Sequence, residues 1–226
     1  MSQVHLYHYI EKQWNLSLAN NSSENLEFRK LKLVGGHPSL DLLNTVKYRG
    51  RADPQDRLGC FEDIANWAAL AGLIDDSETQ TLDDMAKENP VRANNIYLDI
   101  CRFRENLRQA LSSEIDLSDL QKLAVKKVEK AIEELRPTVL IDIKSRTLSR
   151  RFPIRQLDDL KNRLVQSTAE LMELIPTPKI GVCAADDCDW LFIDRSKAKR
   201  RRWCDTKTCG NRARVRQFRV QNFEDV

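Results

Sequence analysis

The chain has 226 residues, 41% hydrophobic and 31% charged with only seven glycines, a balance that excludes a disordered polymer and describes a soluble, helix-leaning globular protein. Its longest nearly apolar run, Ile64 to Ile74, is too short to span a bilayer, and the N-terminus shows no basic segment ahead of an apolar block. A cytoplasmic location is therefore expected. The net charge of +3 is uneven: residues from Lys179 onward carry a balance of +5 and the rest −2, which points to a basic module that meets a polyanion.

Residues 1–30 read as an N-terminal extension, with an amphipathic helix in "HLYHYIEKQW" ended by the loop-like "ANNSSEN". A short strand, "KLKLV", runs into Gly35-Gly36 and a helical stretch, "SLDLLNTVKY". "CFEDIANWAALAG" keeps Phe61, Ile64, Ala65, Ala68 and Ala71 near one helical face, and Gly72 suits its C-terminal cap. Ser77 and Gln80 have capping-box spacing at the head of a helix that stops at Pro90. Two longer helices follow, in "RANNIYLDICRFRENLRQALSS" and "SDLQKLAVKKVEKAIEELRP". "TVLIDIK" and "LSRRF" read as a hairpin turning near Ser145-Arg146, and "LDDLKNRLVQSTAELMELIP" as a last helix. The two prolines of "IPTPKIG" mark a domain boundary, so a helical domain over 31–178 and a small module over 179–226 are expected. The helical domain holds no cluster of metal ligands, so removal of any metal is expected to unfold residues 183–222 and leave that domain helical.

Four of the six cysteines follow that boundary: Cys183, Cys188, Cys204 and Cys209, spaced C-x4-C, fifteen residues, C-x4-C. Thiolates suit zinc, a borderline-soft ion that accepts tetrahedral sulfur, and four protein ligands leave no open position, so the expected role is structural. The alternative is two disulfides, which a cytoplasmic setting disfavours. The three histidines stand at positions 5, 8 and 37, so one Zn2+ per chain would be held by cysteine alone. Cys60 and Cys101 stand apart and read as small buried hydrophobes.

Between the cysteine pairs, "DWLFIDRSKAKRRRWC" reads as a β-hairpin, with Trp190, Phe192 and Trp203 as a miniature core. Beyond Cys209, "GNRARVRQFRVQN" reads as a helix with Val215 and Phe218 packed inward and Arg212, Arg216 and Arg219 on one face at i, i+4, i+7. The fold class expected is mainly α: a helical N-terminal domain with a short β-hairpin, then a small zinc-stabilised, treble-clef-like ββα module. A module this small depends on its metal for much of its folding energy.

These residues resemble a known family. "CDTKTCGNR" carries the Cys-Gly-Asn-Arg signature of the CGNR zinc finger, and "LFIDRSKAKRRRWC" is similar to the segment before it. "HPSLDLLNT", "DRLGCFEDIANWAALAGLI" and "FRENLRQAL" resemble the ABATE domain that precedes that finger. The resemblance implies a bacterial transcription regulator whose basic finger binds DNA. It carries over Cys209 as a ligand, Gly210 as the turn residue, and Asn211 and Arg212 as polar positions of undecided role.

Eleven Lys+Arg against two Asp lie between Asp194 and Arg219, a footprint for phosphate. Lys197, Lys199, Arg200, Arg201 and Arg202 are candidate phosphate contacts, and Arg212, Arg216 and Arg219 are candidates for a major groove. For Arg212 the competing role is to brace the cysteine knuckle. Asp41, Asn44 and Trp67 are candidates for an effector pocket in the helical domain, where a polar side chain otherwise serves as a cap or core hydrogen bond. No Ser/His/Asp set, Gly-rich phosphate loop or H-E-x-x-H motif stands in the chain, so a binding protein is expected rather than an enzyme. A regulator that binds duplex DNA leads. A zinc-stabilised adaptor that binds protein or RNA is the alternative.

Overall fold

Past the Gly35-Gly36 turn, Pro38 presets the first turn of α1 (Pro38–Leu43), and the His37 ring accepts from the Ser39 N–H at 3.3 Å to cap it. A computed structural model describes residues 32–49, 54–111, 119–174 and 179–223, all within one compact unit spanning Lys32–Val226. The expected N-terminal helix and the segment 175–178 of the expected boundary lie outside the described residues. Of the expected strand "KLKLV", the described part, Lys32–Val34, is not a strand.

Strand β1 (Val46–Lys47) pairs antiparallel with β2 (Gln55–Asp56). Buried Arg104 fastens both to the helices: its Nη1 donates to Thr45 Oγ1 and to Asp56 Oδ1, each at 2.9 Å. Helix α2 (Phe61–Leu70) buries Phe61, Ile64, Ala65, Trp67 and Ala68, and the chain leaves it through Gly72 at φ 72°, a left-handed turn that favours glycine.

Helix α3 (Asp76–Glu88) has a capping box, but formed by Asp75 and Glu78 rather than Ser77 and Gln80. Asp75 Oδ1 accepts the Glu78 N–H at 2.9 Å and Glu78 Oε2 accepts the Asp75 N–H at 3.2 Å. A carboxylate is the stronger acceptor, and the Ser77 hydroxyl itself donates to Asp75 Oδ1 at 2.7 Å. Helices α4 (Pro90–Ala110) and α5 (Asp119–Glu133) then pack on each other. The hairpin β3 (Thr138–Asp142) and β4 (Thr147–Arg151) turns where the sequence places it, with Arg146 at φ 54°. Helix α6 (Asp158–Leu174) completes the helical part.

The C-terminal part departs from expectation. Strand β5 (Lys179–Val182) pairs antiparallel with β6 (Leu191–Asp194), Ile180 opposite Ile193 and Val182 opposite Leu191. The hairpin expected within Asp189–Cys204 is thus replaced by one that begins at the boundary segment itself. The physical reason is Asp194, whose carboxylate accepts the N–H groups of Ser196 and Arg201, each at 2.9 Å, and closes the basic run into a loop. A π-helical turn, Thr206–Gly210, leads into α7 (Asn211–Phe223).

Leu191 and Ile193 of β6 lie in one buried cluster with Leu40 and Leu43 of α1, Phe103 and Leu107 of α4, and Val165 and Leu171 of α6. One strand therefore belongs to both parts. The molecule is mainly helical with small antiparallel strand pairs, and no helix among the described residues is long and apolar enough to cross a membrane.

Candidate metal centre and its basic surround

Cys183 and Cys188 flank the loop that leaves β5, Cys204 precedes the π-helical turn, and Cys209 lies within it. The Sγ atoms of all four lie within 4.8 Å of one another, with Cys188 to Cys204 at 3.7 Å and Cys204 to Cys209 at 3.6 Å. A zinc–sulfur bond of about 2.3 Å in a tetrahedron gives sulfur–sulfur edges of about 3.8 Å. The donor set therefore fits a tetrahedral, thiolate-loving dication. Hydrogen bonds from the neighbouring thiols hold the Cys183 thiol well below its ordinary range, while the same sharing pushes Cys188 and Cys204 up. Four thiols this close cannot all ionise without a cation among them. Phe192 packs with Cys183, Cys204 and Cys209 in a small core, against which Trp190 and Trp203 lean, as the sequence expects.

Every cation of the candidate set can be placed. Lys197, Arg200 and Arg202 are exposed, and the Arg202 guanidinium lies over the Trp203 ring, 5.1 Å from its centroid. Lys199 turns back, its Nζ donating to Asp194 O at 2.9 Å. Arg201 is internal: it donates to Trp203 O at 2.9 Å and to Cys204 O, and stacks 4.4 Å from the Phe192 ring centroid. Its place is that of a brace for the Cys204 knuckle. Arg212 Nη2 donates to Cys209 Sγ at 3.2 Å, and its Nη1 pairs with Asp187 Oδ2 at 3.0 Å. Arg216 pairs with Asp186. Arg219 is exposed. The expected stripe on α7 is therefore turned in part toward the finger's own first knuckle. Conversely, Val215 and Phe218, expected to pack inward, are 43% and 66% exposed, while the side of α7 that meets Asp186 and Asp187 carries Arg212 and Arg216.

The candidate pocket residues lie in the helical part, two of them at its joint with the finger. Asn44 Nδ2 donates to Leu191 O at 2.8 Å and its Oδ1 accepts the Leu191 N–H at 2.8 Å, so the amide completes β6 like a neighbouring strand. Asp41 Oδ1 accepts the Gly35 N–H at 2.7 Å, and Gly35 O accepts the Ile193 N–H at 2.8 Å. Burial pushes the Asp41 carboxyl up to about 6. Trp67 is fully buried within α2, its Nε1 without a hydrogen-bond partner among the described residues. Cys101 is buried as expected; Cys60 is half-buried ahead of α2, its thiol pushed up to about 12 by burial.

Sequence reasoning missed Asp194, Asp186 and Asp187 as organisers. Their signals were present: Asp-x-Ser in "DRS" is an Asx-turn pattern, and two aspartates inside a C-x4-C knuckle face a basic helix.

Two family models match the chain. Residues 179–221 match the CGNR zinc finger, and residues 36–179 match ABATE, described as "Putative stress-induced transcription regulator". The chain belongs to this ABATE–CGNR family. No curated protein matches the chain. The signature of the CGNR finger now has physical content here: Cys209 is one of the four clustered thiols, and a Cβ on Gly210 would sit 3.0 Å from Trp203 Cδ1. Arg212 ties a thiol of the second knuckle to an aspartate of the first.

Proposed function

We propose that this ABATE–CGNR protein is a zinc-stabilised, DNA-binding transcription regulator, with Cys183, Cys188, Cys204 and Cys209 as the structural Zn2+ ligands. The order of knuckle, loop, knuckle and helix is treble-clef-like. The observation that carries the reading is the Asp194-anchored loop, which turns Arg201 inward, ties the exposed Lys199 ammonium back to the Asp194 carbonyl, and presents Lys197, Arg200 and Arg202 to solvent. A fixed row of exposed cations beside a rigid metal site suits a phosphate backbone, whose neutralisation releases counterions. Arg200 and Arg202 offer planar forks for phosphate oxygens. In this reading a bound zinc ion holds the loop and α7 in one orientation and takes no part in chemistry.

The test is fluorescence anisotropy of labelled duplex DNA with metal-loaded protein across salt. Three phosphate contacts predict a slope of log affinity against log salt of about −3, and Lys197→Gln with Arg200→Gln should flatten it by about 2. A metal-loaded protein that fails to bind duplex DNA at low salt, or prefers RNA of equal length, would refute the assignment.

A further inference from the structure

Helix α7 carries two stripes with opposite fates. Arg212 and Arg216 are spent on Cys209 Sγ, Asp187 and Asp186. Asn211, Arg214, Val215 and Phe218 recur at i, i+3, i+4 and i+7, which places them on one neighbouring face, and all four are exposed. None of the ion pairs among the described residues involves Arg214. A highly charged helix that leaves a phenylalanine 66% and a valine 43% exposed has a face made for something other than its own core.

Resting on the DNA-binding reading above, we infer that Asn211, Arg214, Val215 and Phe218 form the base-reading face of α7, while the signature's Arg212 braces the metal site. The chemistry of the four matches the edges of base pairs in a major groove. An arginine fork suits guanine O6 and N7, an asparagine amide suits adenine N6 and N7, and valine and phenylalanine suit the thymine methyl. Charge selects DNA over an apolar protein groove: residues 211–223 contain no carboxylate, Arg219 stands exposed beside the face, and the outward loop cations come from the same finger. A helix about 10–12 Å across fits a groove about 12 Å wide. The division also accounts for both undecided polar positions of the signature, Asn211 outward and Arg212 inward.

The full-length, metal-loaded chain is used to enrich a random duplex pool, and affinity is then measured for the enriched duplex and for a scrambled one. Asn211→Ala and Arg214→Ala should each lower the ratio of these affinities by about 5- to 150-fold, with much smaller changes on the scrambled duplex. Arg214→Lys keeps the charge and loses the fork, so it should lower the ratio while holding scrambled affinity. Phe218→Ala should also lower it, and Arg216→Gln should leave it unchanged. Metal content and melting temperature of the Asn211, Arg214 and Phe218 variants should match the parent, since these side chains are exposed. The inference is overturned if the pool yields no preferred sequence, or if the ratio survives Asn211→Ala, Arg214→Ala and Phe218→Ala in a chain that still binds DNA. It is equally overturned if sedimentation shows a dimer that Phe218→Ala dissociates with the ratio intact, which would make the face an interface between copies. Failure of the parent chain to bind any duplex sinks the DNA-binding reading itself, and this inference with it.

Discussion

Removing the metal, by chelation or by Cys204→Ser, should loosen α1 and α4 as well as the finger. Release of the knuckles frees β6, whose Leu191 and Ile193 are 1% and 2% exposed among Leu40, Leu43, Phe103 and Leu107. Burial of such side chains contributes about 1.5–3 kcal/mol each. The two Asn44 hydrogen bonds to Leu191 add about 1 kcal/mol each. Complete detachment of β6 therefore costs roughly 5–8 kcal/mol, against a total of about 5–15 kcal/mol for a typical domain. Hydrogen exchange read by mass spectrometry, with and without chelator, measures this by segment. Peptides covering 38–43 and 96–107 should exchange faster by about 4000-fold, taking the lower figure at 1.4 kcal/mol per decade. Unchanged protection there, alongside lost protection across 183–209, would show the finger and the helical core to be separate units and the reasoning to be wrong.

Asn44→Ala should destabilise the folded chain by about 2 kcal/mol or more in urea unfolding, because it strands both backbone groups of Leu191; a change under 0.5 kcal/mol would mean the amide is dispensable. Arg201→Ala should lower melting temperature and speed metal loss to a colorimetric chelator, whereas Arg200→Ala should change neither and weaken DNA binding instead; equal effects would refute the inward–outward division of the loop. The Asp41 carboxyl is raised in the fold, so its contribution to stability is fully present below about 4 and lost as pH rises through about 6. Asp41→Asn, which keeps the acceptor for Gly35, should flatten the melting temperature across that window, and an unaltered profile would locate the pH dependence elsewhere.

Where a local rule operates without a competitor, the sequence was legible. Helical periodicity placed α2 to α6, Gly72 marked the exit from α2, and the turn at Arg146 fell where the hairpin pattern put it. The four thiols were legible because ligand spacing is local to each knuckle. What escaped the reading was which carboxylate each cation or backbone N–H meets. The pairing of β5 with β6 depends on a buried Asp194 that folds the basic run back on itself. The inward turn of Arg212 and Arg216 depends on Asp186 and Asp187, about 25–30 residues earlier. Charge counting sees eleven cations between Asp194 and Arg219 and cannot tell those spent internally from those left facing water.

The double membership of β6 also bears on how this finger can be reused. A finger that folds as a cassette can be cut out and grafted onto a new host. Residues 179–223 cut from this chain would carry Leu191 and Ile193 bare on a two-stranded ribbon whose β6 has lost the Asn44 amide and the Gly35 carbonyl that occupy its outer backbone groups. Such a fragment offers an open, apolar strand edge to its own copies. A graft that retains solubility must bring α1 with it, or replace both apolar side chains by polar ones and accept a finger whose aim relative to its host is no longer fixed.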